Sequence, residues 1–169
     1  MTTLSPPPFR IYLMRHAEAL RAQRGEGDFE RRLSDAGQVQ AEIVAAKAAA
    51  EGYRPDLVIV STARRARQTA EAFKAAFGAA VEFRYTDALY NAGAHAYFDI
   101  IAAQSSGQSV MILGHSPTIE QTLAGLIGAE AAMAATGEAY PTAGFAIIDA
   151  VEASTFAPAH WVLKDFLTA

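Results

Sequence analysis

Three short apolar runs limit this chain's fold more than any other feature. Leu57–Val60 (LVIV) and Val110–Leu113 (VMIL) are uninterrupted apolar stretches, and Phe9–Met14 (FRIYLM) is close to one. A strand with one wet face alternates apolar and polar residues, whereas a continuous apolar run marks a strand covered on both faces. Such strands belong to a parallel sheet flanked by helices. Helical stretches lie between them. Ser34 is placed to cap a helix from Asp35 to Glu51, with Val39, Ile43 and Val44 on one side and Gly52 as its stop. A second helix follows LVIV, where Ala66, Thr69, Ala70, Phe73 and Phe77 recur at helical spacing. A third is expected over Ala94–Ala103, and a fourth near Pro117, a residue suited to a first helical turn. Phe145–Asp149 and Trp161–Phe166 read as further strands, the second as an edge strand, while composition leaves Ala129–Ala139 open between helix and loop. The predicted fold is an α/β three-layer αβα sandwich with a mostly parallel central sheet.

The chain's 169 residues fit one domain, expected over residues 10–169, behind a flexible leader at 1–9 that contains Pro6, Pro7 and Pro8. A net charge of −4 gives no basic excess of the kind that nucleic-acid binding uses. With no cysteine, disulfide frameworks, thiol nucleophiles and Cys-based zinc sites are excluded. Neither a secretory leader nor an apolar stretch of membrane-spanning length is found, so a cytoplasmic protein with no membrane partner is expected.

In an open parallel sheet, ligands bind beyond the carboxyl ends of the strands. The three core runs are followed there by Arg15-His16-Ala17-Glu18, by Ser61-Thr62-Ala63-Arg64-Arg65-Ala66-Arg67, and by Gly114-His115-Ser116-Pro117. Two histidines and several arginines therefore converge on one edge. Arginine offers paired donors to phosphoryl oxygens, a neutral imidazole can attack phosphorus, and a protonated one can stabilise the charge that develops. Such a set needs no cofactor and no metal. His95 reads as a surface or capping residue and His160 as structural, and the histidine spacing does not suggest a zinc site.

Leu13–Ala19 resembles the Arg-His signature of the histidine phosphatase superfamily, and Ser61–Ala70 and Gly114–Pro117 resemble its two later motifs. Asp28–Gly37 (DFERRLSDAG) is similar to the segment after the first motif in short SixA-type phosphohistidine phosphatases. The resemblance implies a phosphoglycerate-mutase-like fold and a metal-independent phosphatase. It also implies that His16 is transiently phosphorylated, that Arg15 and Arg65 bind the phosphoryl oxygens, and that His115 completes the pocket. Arg65 is preferred to Arg64 and Arg67 because it stands four residues after Ser61, the family's usual offset. Arg31, Glu18 and Ser116 are candidate substrate contacts. The implied partners are a phosphohistidine protein or a small phosphoester, with inorganic phosphate as product.

The expected cycle uses neutral His16 as nucleophile and protonated His115, which predicts a bell-shaped pH profile. Relatives acting on alkyl esters usually carry a carboxylate after the second motif, but Ala88–His95 (ALYNAGAH) has none, leaving Glu18 or Asp87 as candidate general acids. A poor acid supply matters less when the leaving group is an imidazole. Other readings are a phosphomutase, a silent phosphate-binding scaffold, and a serine hydrolase built on Ser116 with Asp149 and His160, although Thr118 breaks the Gly-x-Ser-x-Gly pattern.

Overall fold

Strands buried on both faces need two layers of cover, and the helices between them supply both. A computed structural model describes residues 9–104, 108–151 and 160–169; residues 1–8 of the leader expected at 1–9 and the His160 side chain lie outside the described residues. The strands are β1 (Arg10–Arg15), β2 (Leu57–Ser61), β3 (Glu82–Thr86), β4 (Val110–Gly114), β5 (Phe145–Val151) and β6 (His160–Leu167). They form one sheet in the order β3-β2-β4-β1-β5-β6. The pairings among β1 to β4 are parallel, and β5 and β6 add antiparallel strands on one side.

Alternate strand residues feed two separate cores. Tyr12, Met14, Val58, Val60, Met111 and Leu113 pack on the face covered by α1 (Asp35–Ala50) and α2 (Arg64–Phe77). Ile11, Leu13, Leu57, Ile59, Val110 and Ile112 pack on the opposite face beneath α3 (Ala94–Ala102), α4 (Thr118–Ile127) and α5 (Ala129–Thr136). The result is the expected three-layer αβα sandwich, and the stretch that composition left open is helical in α5.

Two local features add to the sequence reading. Val39 and Ile43 do not face the core: they are 53% and 40% exposed, and α1 buries Gly37, Ala41, Val44, Ala45 and Ala48 instead. The small residues recur at helical spacing, and they let α1 lie close to its neighbours. The third helix-strand unit also contains a strand that the apolar pattern does not reveal. β3 reads EFRYT, with Glu82, Arg84 and Tyr85 exposed, because it is an edge strand beside β2 and its outer side needs charge rather than apolar cover.

The topology fixes where chemistry can occur. After β1 the chain crosses to β2, and after β4 it departs the other way to β5, so the carboxyl ends of neighbouring β1 and β4 form the switch point of the sheet. Arg15 pairs with Gly114 there, so His16 and His115 emerge side by side.

Candidate active site

His16 leaves the end of β1 with its backbone pinned on both sides. Its N–H donates to the Gly114 carbonyl at 3.1 Å, and its own carbonyl accepts from Ala143 N at 3.2 Å. The next residue is held from α2, since Ala17 N donates to Thr69 Oγ1 at 3.1 Å and Thr69 Oγ1 donates to the Arg65 carbonyl at 2.8 Å. These two bonds tie the loop after β1 to the first turn of α2.

Two contacts fix the His16 tautomer. Nδ1 lies 2.7 Å from the Ala17 carbonyl, which can only accept, so Nδ1 carries the proton. Arg65 Nε, which can only donate, lies 3.2 Å from Nε2, so Nε2 keeps its lone pair. The His115 ring stands 5.2 Å away, centroid to centroid, and its Nε2 lies 2.7 Å from Ser61 Oγ at the end of β2. Backbone placement of His115 comes from Tyr97 of α3, whose hydroxyl accepts from His115 N at 3.1 Å and donates to the Leu89 carbonyl at 3.3 Å. Gly114 is required for this approach, because a Cβ there would stand 2.2 Å from the Tyr97 hydroxyl.

The arginines are held by different devices. Arg15 Nη1 donates to the Tyr140 carbonyl at 2.6 Å, while Glu120 of α4 accepts from Tyr140 N at 3.1 Å and from Ser116 Oγ at 3.0 Å. Arg65 is buried; besides His16 it meets the Asp28 carbonyl through Nη1 at 2.8 Å and Asp28 Oδ2 through Nη2 at 3.2 Å. Asp28, in a short 3-10 turn over Asp28–Glu30, also accepts from the Tyr90 hydroxyl at 2.7 Å and from Arg31 Nη1 at 3.0 Å. Arg31 in turn donates through Nε to the Leu20 carbonyl at 2.8 Å.

Arg15, His16, Asp28, Arg65, His115 and Ser116 line a common cavity of about 640 Å³, with Arg31 also on its wall. Two buried polar atoms of this set, Arg15 Nε and His115 Nδ1, have no protein partner. Buried groups of that kind are normally satisfied by a ligand or water.

The electrostatics differ from the expected pairing in one respect. Burial, followed by the positive charges of His115, Arg65 and Arg15, pushes the His16 imidazole down to about 3, against the opposing pull of the Ala17 carbonyl. Burial and then Arg65 and Arg15 bring His115 down to about 4, with Asp28 opposing. At those values both rings are neutral at pH 7, so the proton that the bell-shaped profile places on His115 has to arrive with the substrate's negative charge. Asp28 is ionised: the Tyr90 hydroxyl, then Arg31 and Arg65, lower its carboxyl to about 2.

Neither expected general acid lines the cavity. Glu18 is exposed and accepts from Ser34 Oγ at 2.7 Å, which ties it to the start of α1. Asp87 is exposed and accepts from the Thr62 hydroxyl. The serine-hydrolase reading has no geometry behind it, since Ser116 Oγ donates to Glu120 and Asp149 is paired with Arg10. His95 is exposed in the first turn of α3, and among the described residues no group of three His, Asp or Glu side chains is disposed to hold a metal. Sequence reading did not single out Asp28, Tyr90, Tyr97, Glu120 or Tyr140. Their spacing from the motifs carries no periodic signal; the quoted Asp28–Gly37 and Ala88–His95 segments and the expected helix over Ala94–Ala103 contain Asp28, Tyr90 and Tyr97 without giving them a role.

Residues 11–94 match the model of the histidine phosphatase superfamily (branch 1). An uncharacterised Mycobacterium tuberculosis protein is 31% identical over 140 residues, covering 80% of this chain and 85% of that protein. A crystal structure from Agrobacterium tumefaciens, assigned as the phosphohistidine phosphatase SixA, is 46% identical and covers 95% of this chain and 97% of its own, with a TM-score of 0.87. A Nakamurella multipartitia structure with the same assignment is 25% identical over 96% of this chain and 98% of its own, at a TM-score of 0.72. No helix among the described residues is long and apolar enough to cross a membrane. With the phosphoglycerate-mutase-like sandwich and both histidines at its switch point, the chain belongs to the histidine phosphatase superfamily and is a SixA-like phosphohydrolase.

Proposed function

We propose that the protein, as a single domain over residues 10–169, removes the phosphoryl group from phosphohistidine on a protein through a covalent intermediate on His16. The observation that carries this reading is the fixed tautomer of His16, whose unprotonated Nε2 meets Arg65 Nε beside a cavity that Arg15, His16, Arg65 and His115 line. In the first step Nε2 forms a bond to phosphorus while the bond from phosphorus to the substrate nitrogen breaks, its electron pair passing to that nitrogen. In the second, a water oxygen bonds to phosphorus, the P–Nε2 bond returns its pair to His16, and both water protons leave with inorganic phosphate. The chemistry is nucleophilic catalysis with charge stabilisation by fixed donors.

Arg65 donates to the nucleophile's lone pair in the free protein, so substrate must draw it onto a phosphoryl oxygen before attack. Arg15 Nε and His115 Nδ1 are the remaining unpartnered groups, and both suit phosphoryl oxygens once the incoming negative charge lets His115 take up a proton. Ser116 and Arg31 stand on the wall as substrate contacts, whereas Glu18 supports α1 and is not assigned one.

The missing acid supports this substrate class. Among the described residues the carboxylate on the cavity wall is Asp28, which is ionised and cannot give a proton to an alkoxide. An imidazole leaves without that help. The test is phosphate release from a phosphohistidine peptide and from an aryl phosphate, with chelator present, by wild type and by a folded His16→Ala variant. Faster, chelator-resistant release from the peptide, lost in the variant, is expected. A preference for the aryl ester would reassign the protein to small phosphoesters.

A further inference from the structure

A carboxylate on the wall of an anion site needs a reason, because its charge opposes the anion that the arginines attract. Asp28 is such a group. It shares the cavity with Arg15, His16, Arg65 and His115, and its side chain is 51% exposed toward solvent. It holds Arg65, and two further contacts hold its carboxylate. Arg31 Nη1 fixes Oδ1 at 3.0 Å, and the Tyr90 hydroxyl fixes Oδ2 at 2.7 Å. Tyr90 is itself braced edge-on against Phe29, with centroids 5.0 Å apart. With Arg65 turned to a phosphoryl oxygen, the Arg31 and Tyr90 contacts would still hold Asp28, and Oδ2 would lose one of its two donors.

We propose that Asp28 is the leaving-group subsite of this pocket, accepting the ring N–H of a protonated N-phosphoryl imidazole. The proposal rests on the phosphohistidine reading and deepens it. Being ionised, Asp28 is an acceptor only, so it suits a substrate that brings a proton rather than one that needs it. In a phosphorylated imidazole one ring nitrogen carries phosphorus and the other can carry a proton. As His16 Nε2 bonds to phosphorus, the N–P bond breaks and its pair stays on the departing nitrogen. The proton remains on the other nitrogen, so the product leaves as neutral imidazole. A carboxylate on that N–H stabilises the protonated form and with it the better leaving group. An ester oxygen brings no such donor and develops negative charge beside Asp28. The same residue therefore favours N–P substrates and disfavours O–P substrates.

The experiment compares kcat/KM for a phosphohistidine peptide and an aryl phosphate in wild type, Asp28→Asn and Asp28→Glu, with melting curves to check that each variant is folded. The ratio of the two values should move toward the aryl phosphate by about 10- to 100-fold in the Asn variant, the scale of one lost charge-assisted hydrogen bond. The Glu variant, which keeps the acceptor charge, should recover part of that ratio. Equal losses on both substrates would overturn the proposal, since Asp28 would then act only by holding Arg65. An unchanged ratio with unchanged rates would overturn it as well. A wild type that releases phosphate from the aryl ester but not from the peptide would sink the substrate reading itself, and that outcome is visible before any Asp28 variant is made.

Discussion

His16 and His115 stand 5.2 Å apart between two arginines, and at that distance their protonation cannot be independent of what occupies the cavity. With both rings neutral in the free protein, a bound dianion must recruit the proton that His115 uses. Tungstate, a phosphoryl stand-in that stays dianionic near neutrality, should therefore bind with proton uptake at pH 7. Calorimetry in buffers of different ionisation enthalpy will register it, and His115→Asn should bind tungstate without it; binding with no uptake in wild type would contradict the assignment. At this scale the motif residues were legible in the sequence, because Arg15, His16, Arg65 and His115 each follow an apolar strand closely. Their environment was not. The low values for His16 and His115 come first from burial, which depends on how Tyr97, Tyr140 and Tyr90 close over the strand ends from distant parts of the chain.

The elements are arranged to hold the loop after β1 at a fixed height. Ser34 caps α1 through Gly37 N at 2.9 Å and also meets Glu18, so the helix start and the loop after β1 share one set of hydrogen bonds. Gly37 makes this possible: a Cβ there would lie 2.0 Å from the Glu18 carbonyl oxygen, which is backbone and cannot swing aside. Gly37→Ala should destabilise the fold by roughly 1–3 kcal/mol, the usual cost of overpacking, and should lower kcat through the displaced loop. Thermal unfolding and steady-state rates check this, and an alanine variant with wild-type values for both would refute the linkage. The capped start of α1 was readable from Ser34, and α2 from its spaced apolar residues. The buried face of α1 was not, because alanines at helical spacing give a weaker apolar signal than the exposed Val39 and Ile43 beside them. β3 escaped for the matching reason, since an edge strand is selected for charge on its open side.

For the molecule as a whole, the switch point between β1 and β4 gathers the site, and its cost appears in the pH dependence of stability. Both histidines have folded values below the ordinary imidazole value of ~6.5, so the unfolded chain binds more protons between about 6.5 and the values of about 3 and about 4. Stability contributed by neutral His16 and His115 is complete above pH ~6.5 and is lost as pH falls toward those values, at up to about 1.4 kcal/mol per pH unit for each ring. The melting temperature should fall between pH 7 and pH 5, and less steeply in His16→Ala; parallel slopes would count against buried neutral rings. The α/β architecture was legible at this scale because apolar runs and helical spacing alternate along the chain, whereas the position of β4 between β1 and β2 was set by crossovers that no local pattern encodes. The central claim is that His16 Nε2 carries the phosphoryl group. Rapid quench of the wild type turning over a phosphohistidine peptide, into alkali, followed by peptide mass spectrometry, tests it most directly. A phosphoryl group on His16 that forms and decays fast enough to account for turnover is the predicted result; full turnover with no phosphorylated His16 at any time, or undiminished turnover by His16→Ala, would contradict it.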